Sequence, residues 1–297
     1  MKVGIAGLGF MGRTHLSAYA KLGGVQLSVV RVNGSSLGDA AVHALDICLP
    51  TDLHAEAAMA ALEAGKHVFC EKPMSLNKAD CERMISAAER NARVLMIGHV
   101  LRFWPEYEYL REFVESQSYG LILSATFVRR SGLPDWSRWL LEEQRSGGAV
   151  LDLLIHDIDQ VLMLFGAPER VAAKSLGPSD TLAATFLYPK GPEVRLQGGW
   201  FRGTMPLSMS FQIRAQRAEL QFTPQGLMLS DDTGLRRAVE VQSTDAYETE
   251  IAYFVECCEN RVEPARCMPR DSAKAVAVAQ LLKASRAHGG EQLQCSV

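Results

Sequence analysis

The chain has 297 residues, which is more than one compact core usually holds, so two domains are expected. Its composition, 47% hydrophobic and 22% charged, is that of an ordinary soluble globular protein, and no apolar stretch is long enough to span a bilayer. The formal net charge of -3 and the lack of a long basic block argue against a nucleic-acid partner.

The start of the chain and its cysteines favour a reducing compartment. Met1 and Lys2 lead directly into a strand pattern, without the regions of a signal peptide. The seven cysteines are scattered, odd in number and never arranged as two metal-binding pairs. We therefore expect a cytoplasmic protein with no membrane partner.

The first predicted strand, residues 3–6, runs into a glycine-rich turn. G-x-G-x-x-G follows over residues 7–12, and a helical pattern covers residues 13–22. Between a strand and a helix these glycines allow a tight turn, close approach of a pyrophosphate and close packing of helix on strand, and the helix amino end offers free N–H groups to the phosphates. The alternative is a purely structural glycine turn. The predicted dinucleotide-binding residues here are Gly7, Gly9, Phe10, Met11 and Gly12.

The second predicted strand, residues 26–30, lacks the acidic residue that NAD-type sites place at its end for the ribose hydroxyls. Arg31 stands there instead, close to Ser35 and Ser36. An arginine beside small hydroxyl residues favours a 2′-phosphate, which suggests NADP. NAD stays open, and Arg31 is a candidate cofactor contact.

Only residues 37–43 separate this region from the next predicted strand, residues 44–49. A second helix and a third strand, the usual contents of this part of the fold, do not fit in so short a stretch. Either the protein has lost them or the sequence lacks residues of the full chain. We expect that the sequence lacks residues of the full chain, because the adenosine end of the cofactor would otherwise have no protein segment to pack against. The intact mass of the protein distinguishes the two.

Two further stretches place polar residues at the same predicted edge. Pro50 and Thr51 end a strand, and His54 lies in the first turn of an alanine-rich helix. A capping or surface histidine is the alternative to a cofactor contact at His54. The second stretch is an apolar run, residues 67–70, that ends in Glu71-Lys72-Pro73.

Lys72 is the centre of the prediction. The residue before a proline favours extended backbone, so Lys72 should end a buried strand and not begin a helix. Its ammonium then projects at the carboxyl edge of the sheet, where open parallel sheets bind ligands. The alternative is a surface lysine in an ordinary turn.

The first domain is predicted to cover residues 1–100, closing with a strand over 94–98, and the second to cover residues 101–297. Pro105 suits the first turn of a helix that runs to about Ser116. A strand over residues 122–130 follows, and then a polar loop that contains Trp136, Arg138 and Trp139.

A helix is predicted over residues 149–159, after a pair of glycines. Asp152 and His156 are four residues apart, hence on one face of that helix. A carboxylate one turn from an imidazole fixes its tautomer and stabilises its protonated form, as a general base requires. A structural buried pair is one alternative. A metal site is another, but Asp157 and Asp159 point to other faces and no second ligand cluster follows, so no metal is predicted.

The remaining chain predicts a mostly antiparallel sheet, because strand-length segments alternate with turns. These segments are residues 171–176, 182–188, 194–201, 209–215, 219–223 and 227–230. Two helices, residues 247–260 and 272–288, end the chain and are candidates for packing back on the first domain. The predicted fold class is α/β, with an N-terminal Rossmann doubly wound parallel sheet and a C-terminal α+β domain with a large open sheet.

In combination these elements resemble the family of glucose–fructose oxidoreductase, inositol dehydrogenase and MocA. The motifs that carry the resemblance are Gly7-x-Gly9-x-x-Gly12, Pro50-Thr51-x-x-His54, Glu71-Lys72-Pro73, Arg102-Phe103-x-Pro105, and Gly147-Gly148 followed by Asp152-x-x-x-His156-Asp157. They span the chain in the family's order, and the short region 31–43 departs from it. The resemblance implies a sheet domain that binds substrate and joins subunits, hence a homodimer or homotetramer.

The resemblance also implies roles for single residues. Lys72 would hydrogen-bond the reacting oxygen and lie against the nicotinamide, while His156 would accept a proton with Asp152 as its partner. The residues implied around the cofactor are Pro50, Thr51, His54 and Glu71, and those nearer the substrate are Arg102, Trp136 and Trp139.

The function that follows is hydride transfer between NAD or NADP and a secondary hydroxyl, or its ketone, of a sugar or polyol. Loss of hydride from a carbinol carbon makes the hydroxyl proton acidic, so a base must take it, and a fixed ammonium stabilises the developing oxyanion. Two alternatives stay open: a glycosidase that retains its nicotinamide, as some family relatives do, and a non-catalytic regulator that senses NAD(P). The joint presence of Lys72, Asp152 and His156 argues against the regulator.

Overall fold

The structure, a computed structural model, describes residues 1–32 and 41–297. The first half of the chain contains both strands and helices. Its elements are β1 (Lys2–Ala6), α1 (Phe10–Ala20), β2 (Gln26–Val29), β3 (Ala44–Ile47), α2 (His54–Glu63), β4 (His67–Glu71), α3 (Lys78–Arg90) and β5 (Leu95–Gly98).

The second half begins with helices around one long strand and continues as a run of strands. Its elements are α4 (Pro105–Glu115), β6 (Ile122–Gly132), α5 (Glu143–Ser146), α6 (Gly148–Asp152), α7 (Ile155–Phe165), β7 (Arg170–Ser175), β8 (Thr181–Leu187), β9 (Glu193–Phe201), β10 (Ser208–Ala215), β11 (Ala218–Thr223), β12 (Gly226–Asp231), β13 (Arg236–Val239), α8 (Ala246–Asn260), α9 (Pro269–Ala287) and β14 (Leu293–Gln294).

The first sheet is parallel throughout and has the strand order β2-β1-β3-β4-β5. All four residues of β3 and of β5 are buried, as expected for strands covered on both faces. Since β2 and β3 lie on opposite sides of β1, the carboxyl ends of β1 and β3 form a topological switch point, where ligands bind in such sheets. The predicted Rossmann sheet is confirmed. The interpretations placed on Ser35, Ser36 and most of the short region 31–43 lie outside the described residues.

The second sheet has nine strands in the order β13-β12-β11-β10-β6-β9-β8-β7-β14, and β6–β9 is its one parallel pair. Burial alternates along β8 and β12, so the sheet is apolar on one face. The predicted, mostly antiparallel sheet is confirmed. The prediction missed β13, a short strand in which Arg236 and Arg237 are exposed, and the two-residue strand β14.

The chain forms two compact units, and each contains separate segments of sequence. The first consists of Met1–Trp104, Gln144–Ser146 and Thr244–Val276, and the second of Pro105–Glu143, Gly147–Ser243 and Ala277–Val297. The segment Thr244–Val276 belongs to the first unit because α8 completes its core. Phe254 of α8, 0% exposed, packs edge-on against Phe69 of β4, with 5.4 Å between ring centroids.

The helix predicted over residues 149–159 is two helices, α6 and α7, separated by Leu153 and Leu154. Both of these leucines donate their N–H to the carbonyl of Ala149, at 2.9 Å each, which ends α6. The second helix then begins at Ile155. Asp152 is therefore the last residue of α6, and His156 lies in the first turn of α7. The prediction that both residues lie on one face of a single helix was wrong.

No helix in the two described ranges is both long and apolar enough to cross a membrane. All seven cysteines lie in these ranges, and none of them forms a disulfide.

Removal of the Phe254 ring tests whether α8 completes the core of the first unit. Phe254→Ala is expected to lower the free energy of unfolding by about 3–5 kcal/mol, because it leaves a cavity beside Phe69. Urea denaturation followed by circular dichroism measures the change. Val262→Ala, at a side chain 49% exposed in the same unit, is the control and should cost less than about 1 kcal/mol. Equal losses in the two variants would contradict the assignment of α8 to this core.

Candidate functional site

The glycine turn between β1 and α1 is built for close approach of backbone groups. Gly7 has φ +96°, and a Cβ there would lie 2.4 Å from the carbonyl oxygen of Cys48. A Cβ at Gly12 would lie 1.9 Å from the carbonyl oxygen of Gly7, so no side chain fits where the helix meets the turn. At Gly9, in contrast, a Cβ would meet no atom within 4 Å. Two glycines thus close the turn, and the third leaves open space above it.

The amino end of α1 has the electrostatics of an anion site. The helix begins at Phe10, and its first turn carries no acidic residue and no side-chain cap. Phe10 is 77% exposed, while Met11 is half-buried. The uncapped N–H groups and the helix dipole favour a phosphate, and the open space at Gly9 gives it room. The turn therefore fits the pyrophosphate of a dinucleotide.

Several other predicted cofactor residues lie at the carboxyl ends of neighbouring strands in the first sheet. Arg31 is exposed and follows Val30, whose N–H donates to the carbonyl of Ile5 at 2.9 Å. Pro50 and Thr51 follow β3 and begin a single 3₁₀ turn, in which Thr51 is 3% exposed. All of these residues belong to the edge that holds the glycine turn, and their contacts with a cofactor stay predictions.

His54 is enclosed by backbone carbonyls. It is 1% exposed, with Nδ1 2.8 Å from the carbonyl oxygen of Pro73 and Nε2 2.8 Å from that of Leu49. Burial lowers the pKa of His54 below its ordinary value, in spite of these carbonyls. The ring ties the end of β3 to the turn after Lys72. The predicted ribose contact stays a prediction.

Lys72 directly follows β4, as predicted, and is half-buried. Its backbone N–H donates to Oε2 of Glu71 at 3.0 Å, and Oε1 of the same carboxylate lies 3.1 Å from Nε2 of His15. Glu71 is only 6% exposed. Its carboxylate is therefore engaged on both sides by the protein, and its predicted cofactor contact stays a prediction.

The structure adds a residue that the sequence analysis missed, His15 on the buried face of α1. Its Nδ1 lies 2.9 Å from Oδ2 of Asp46 in β3, and both side chains are 0% exposed. The sequence contains one indication of this pair, because Asp46 interrupts an otherwise apolar strand and a buried carboxylate requires a partner. Nothing local to that strand identifies the partner, which lies on a preceding helix.

His15, Asp46 and the thiol of Cys48 form a hydrogen-bonded group. Each offers one ligand atom within 4.8 Å of the others, which is close enough for a metal ion. The thiol, however, lies 3.2 Å from Oδ1 of Asp46 and donates to it, and burial raises the pKa of Cys48 well above its ordinary value. A protonated thiol is a poor metal ligand, and the imidazole and carboxylate already bond to each other. The geometry is that of a hydrogen-bonded cluster.

In the second unit, Asp157 fastens the first turn of α7 to the sheet. Its two carboxylate oxygens accept from Nε and Nη2 of Arg129 in β6, at 2.6 and 3.0 Å, and Nη2 also lies 3.3 Å from the hydroxyl of Tyr107. Asp157 is 0% and Arg129 3% exposed. This buried bidentate pair fixes the backbone that carries His156, which is half-buried, as is Asp152.

The predicted substrate residues have different surroundings. Arg102 is 5% exposed, donates to the carbonyl of Arg266 at 2.8 Å and lies 3.6 Å from Oδ2 of Asp271. Trp136 is 67% exposed and Trp139 is half-buried, both in the loop after β6. The guanidinium of Arg102 thus connects its own segment of the first unit to the segment that contains Arg266. Substrate contacts of all three residues stay predictions.

Comparison with known proteins gives matches in both halves of the chain. Residues 35–99 match the sequence model described as "Oxidoreductase family, NAD-binding Rossmann fold". Residues 107–221 match the model of the "GFO/IDH/MocA C-terminal domain". The two segments together span more than half of the 297 residues.

Curated relatives are similar over part of their length. Levoglucosan dehydrogenase of Pseudarthrobacter phenanthrenivorans is 30% identical over 203 residues, 56% of this chain and 51% of that protein. Myo-inositol 2-dehydrogenase of Thermotoga maritima is 31% identical over 188 residues, 56% of this chain and 55% of that protein. The matched part of the chain thus spans about half the length of these relatives.

Solved structures share the fold over 96–100% of the chain. A levoglucosan dehydrogenase in complex with NADH and levoglucosan has a TM-score of 0.86 at 20% identity, with 100% of both chains covered. UDP-N-acetylglucosamine 3-dehydrogenase from Acidithiobacillus ferrooxidans has a TM-score of 0.81 at 24% identity, covering 96% of this chain and 97% of the other.

The buried pair Arg129–Asp157 generates a stability prediction. Arg129→Met should lower the free energy of unfolding by about 3–5 kcal/mol, because it leaves Asp157 as an unpaired buried charge. Arg129→Met combined with Asp157→Leu should recover most of this loss, since neither charge then remains.

Chemical denaturation of the single and double variants measures both effects. The control is Arg195→Met, which breaks an exposed ion pair with Glu193 and should cost less than about 1 kcal/mol. A double variant less stable than Arg129→Met would contradict the argument from charge burial.

Proposed function

Because the chain belongs to the Gfo/Idh/MocA oxidoreductase family, we propose that it is an NAD(P)-dependent dehydrogenase acting on a secondary hydroxyl, or the corresponding ketone, of a sugar or polyol. One observation carries the proposal most directly. The first unit brings a glycine turn that fits a pyrophosphate and the lysine that follows β4 to the same edge of one parallel sheet. That edge is where such sheets bind dinucleotides.

The substrate class rests on the relatives. Proteins named for levoglucosan, myo-inositol and 1,5-anhydro-D-fructose each match about half of this chain, at 30%, 31% and 34% identity. Their substrates share a ring that carries secondary hydroxyls or a carbonyl. We propose that the substrate of this chain shares this chemistry, and we name no single compound.

Each proposed catalytic residue has one task. His156 accepts the proton of the substrate hydroxyl, and Asp152 orients the imidazole and stabilises its protonated form. The ammonium of Lys72 donates a hydrogen bond to the same oxygen and stabilises its negative charge as the carbonyl forms. A bound nicotinamide would supply the hydride acceptor. The backbone of the glycine turn and the first N–H groups of α1 would hold its phosphates.

A panel of sugars and polyols, assayed with NAD and NADP separately, tests the function. We expect reduction of one cofactor with at least one ring polyol, measured by the absorbance of the reduced nicotinamide. Cleavage of a nitrophenyl glycoside without net reduction of added cofactor would instead support a glycosidase. Cofactor binding without turnover on any compound would contradict the dehydrogenase and favour a sensor.

Lys72→Met tests the role of the ammonium. Turnover should fall by about 10²–10⁴-fold, while the Kd for NADH, measured by fluorescence titration, changes by less than about threefold. His156→Asn should reduce turnover over a similar range, because the proton then lacks an acceptor. Lys78→Met, at a lysine 44% exposed on α3, is the matched control and should keep full turnover. Unchanged turnover in Lys72→Met would refute the assigned role.

A further inference from the structure

The imidazole of His15 is a buried titratable group that the proposed reaction does not use. It lies on α1 behind the glycine turn and is 0% exposed. Its Nδ1 hydrogen-bonds Asp46, at 2.9 and 3.1 Å from the two carboxylate oxygens. Its Nε2 lies 3.1 Å from Oε1 of Glu71, an ion-pair contact and not an aligned hydrogen bond. The ring thus stands between two carboxylates from neighbouring strands.

This position favours the imidazolium. A neutral ring carries one N–H, while His15 presents a nitrogen to a carboxylate on each side. Burial opposes the charge, but the Asp46 carboxylate beside the ring raises the pKa of His15 well above its ordinary value. Burial would likewise raise the pKa of Glu71, but the contact with His15 brings it below its ordinary value. Each of the two groups keeps the other ionised.

Further titratable groups interact electrostatically with this cluster. Glu250 of α8 is 0% exposed, neither of its carboxyl oxygens has a hydrogen-bond partner in the described part of the chain, and burial raises its pKa well above the ordinary value. Burial also raises the pKa of Tyr247 to about 12 and the pKa of Tyr19 and of Cys48 well above their ordinary values. Burial thus favours the neutral form of each of these groups, whereas the imidazole of His15 faces the carboxylates of Asp46 and Glu71.

The carboxylate of Glu71 connects this cluster to the lysine of the proposed active site. One oxygen faces His15, and the other accepts the backbone N–H of Lys72 at 3.0 Å. The orientation of the carboxylate therefore determines where the strand end that carries Lys72 is held. On the far side of the lysine, the carbonyl of Pro73 is held by His54 at 2.8 Å.

We propose that His15 is a positioning residue for the reaction: its imidazolium fixes the Glu71 carboxylate, which in turn fixes the backbone of Lys72. This inference rests on the function proposed for Lys72. A displacement of the ammonium by about 1 Å is enough to reduce turnover by about 10²-fold, so a group that never touches substrate can control the rate. The same cation keeps Glu71 ionised next to the lysine.

A double-mutant cycle between His15 and Glu71 tests the connection. His15→Gln removes the cation, and Glu71→Gln removes the carboxylate at nearly constant shape. Each single variant should lower turnover by about 10–10²-fold with little change in the Kd for NADH. The double variant should be no slower than the slower single variant, because both changes break the same connection. Multiplicative losses would overturn the proposal.

The pH dependence of turnover supplies a second readout, which a loss of packing would not move. Without the imidazolium, the effect of burial on Glu71 is opposed less strongly, so the pKa of Glu71 rises and its carboxylate takes up a proton at a higher pH than in the wild type. The acid limb of the profile in His15→Gln should therefore shift to higher pH, and the double variant His15→Gln/Glu71→Gln should lack this shift. Leu62→Ala in α2, at a side chain 0% exposed and outside the cluster, is the control. It should lose stability and keep the wild-type profile.

The protonation of His15 can be read without cofactor or substrate. In protein labelled with ¹⁵N-histidine, the resonances absent from His15→Gln identify the ring, and both of its nitrogens should stay protonated at pH values well above the ordinary pKa of a histidine. Titration of this ring near its ordinary pKa would overturn the proposal. If Lys72→Met keeps full turnover, the role proposed for Lys72 fails, and the role of His15 fails with it. If Lys72→Met is inactive while the cycle is multiplicative or the ring titrates, only the role of His15 fails.

Discussion

The imidazole of His15 lies between the carboxylates of Asp46 and Glu71 and connects three elements of the first unit. It joins the first helix to the ends of two neighbouring strands, all inside a core where a lone charge would be costly. A buried ion pair is weak evidence for stability, because desolvation of the charges offsets much of their attraction. Its value lies in geometry: each carboxylate has few orientations that satisfy the ring. The carboxyl ends of β3 and β4 are therefore held by electrostatics as well as by apolar packing.

The backbone around Lys72 is fixed from both sides by imidazole rings. His15 acts on the preceding residue through the carboxylate of Glu71, and His54 contacts the carbonyl of the following proline. A lysine side chain has four rotatable methylene bonds, so precision at its ammonium requires a backbone that does not move. The two histidines have opposite environments. Carboxylates face His15 and favour its charge, whereas burial disfavours the charge on His54.

In the second unit, an arginine fixes the backbone next to a proposed catalytic residue. The short helices α6 and α7 meet at a break, and a break between helices gives the side chains around it several possible directions. The bidentate contact between Arg129 and Asp157 removes that freedom at the start of α7, one residue from His156. In both units, then, a buried ion pair lies one residue away from a proposed catalytic side chain. The proposed catalytic side chains Lys72, Asp152 and His156 are themselves half-buried.

The sequence by itself determined the two sheets, the glycine turn and the position of Lys72 at a strand end. These features follow from local periodicity and from the backbone preferences of glycine and proline, which act over a few residues. Only the tertiary structure decided that Thr244–Val276 completes the first core, that the helix before His156 breaks at Leu153, and that His15 stands between Asp46 and Glu71. Each of these depends on atoms that are distant in sequence or on competition among nearby hydrogen bonds. A linear pattern shows that Asp46 needs a partner, but packing in three dimensions selects which residue meets it.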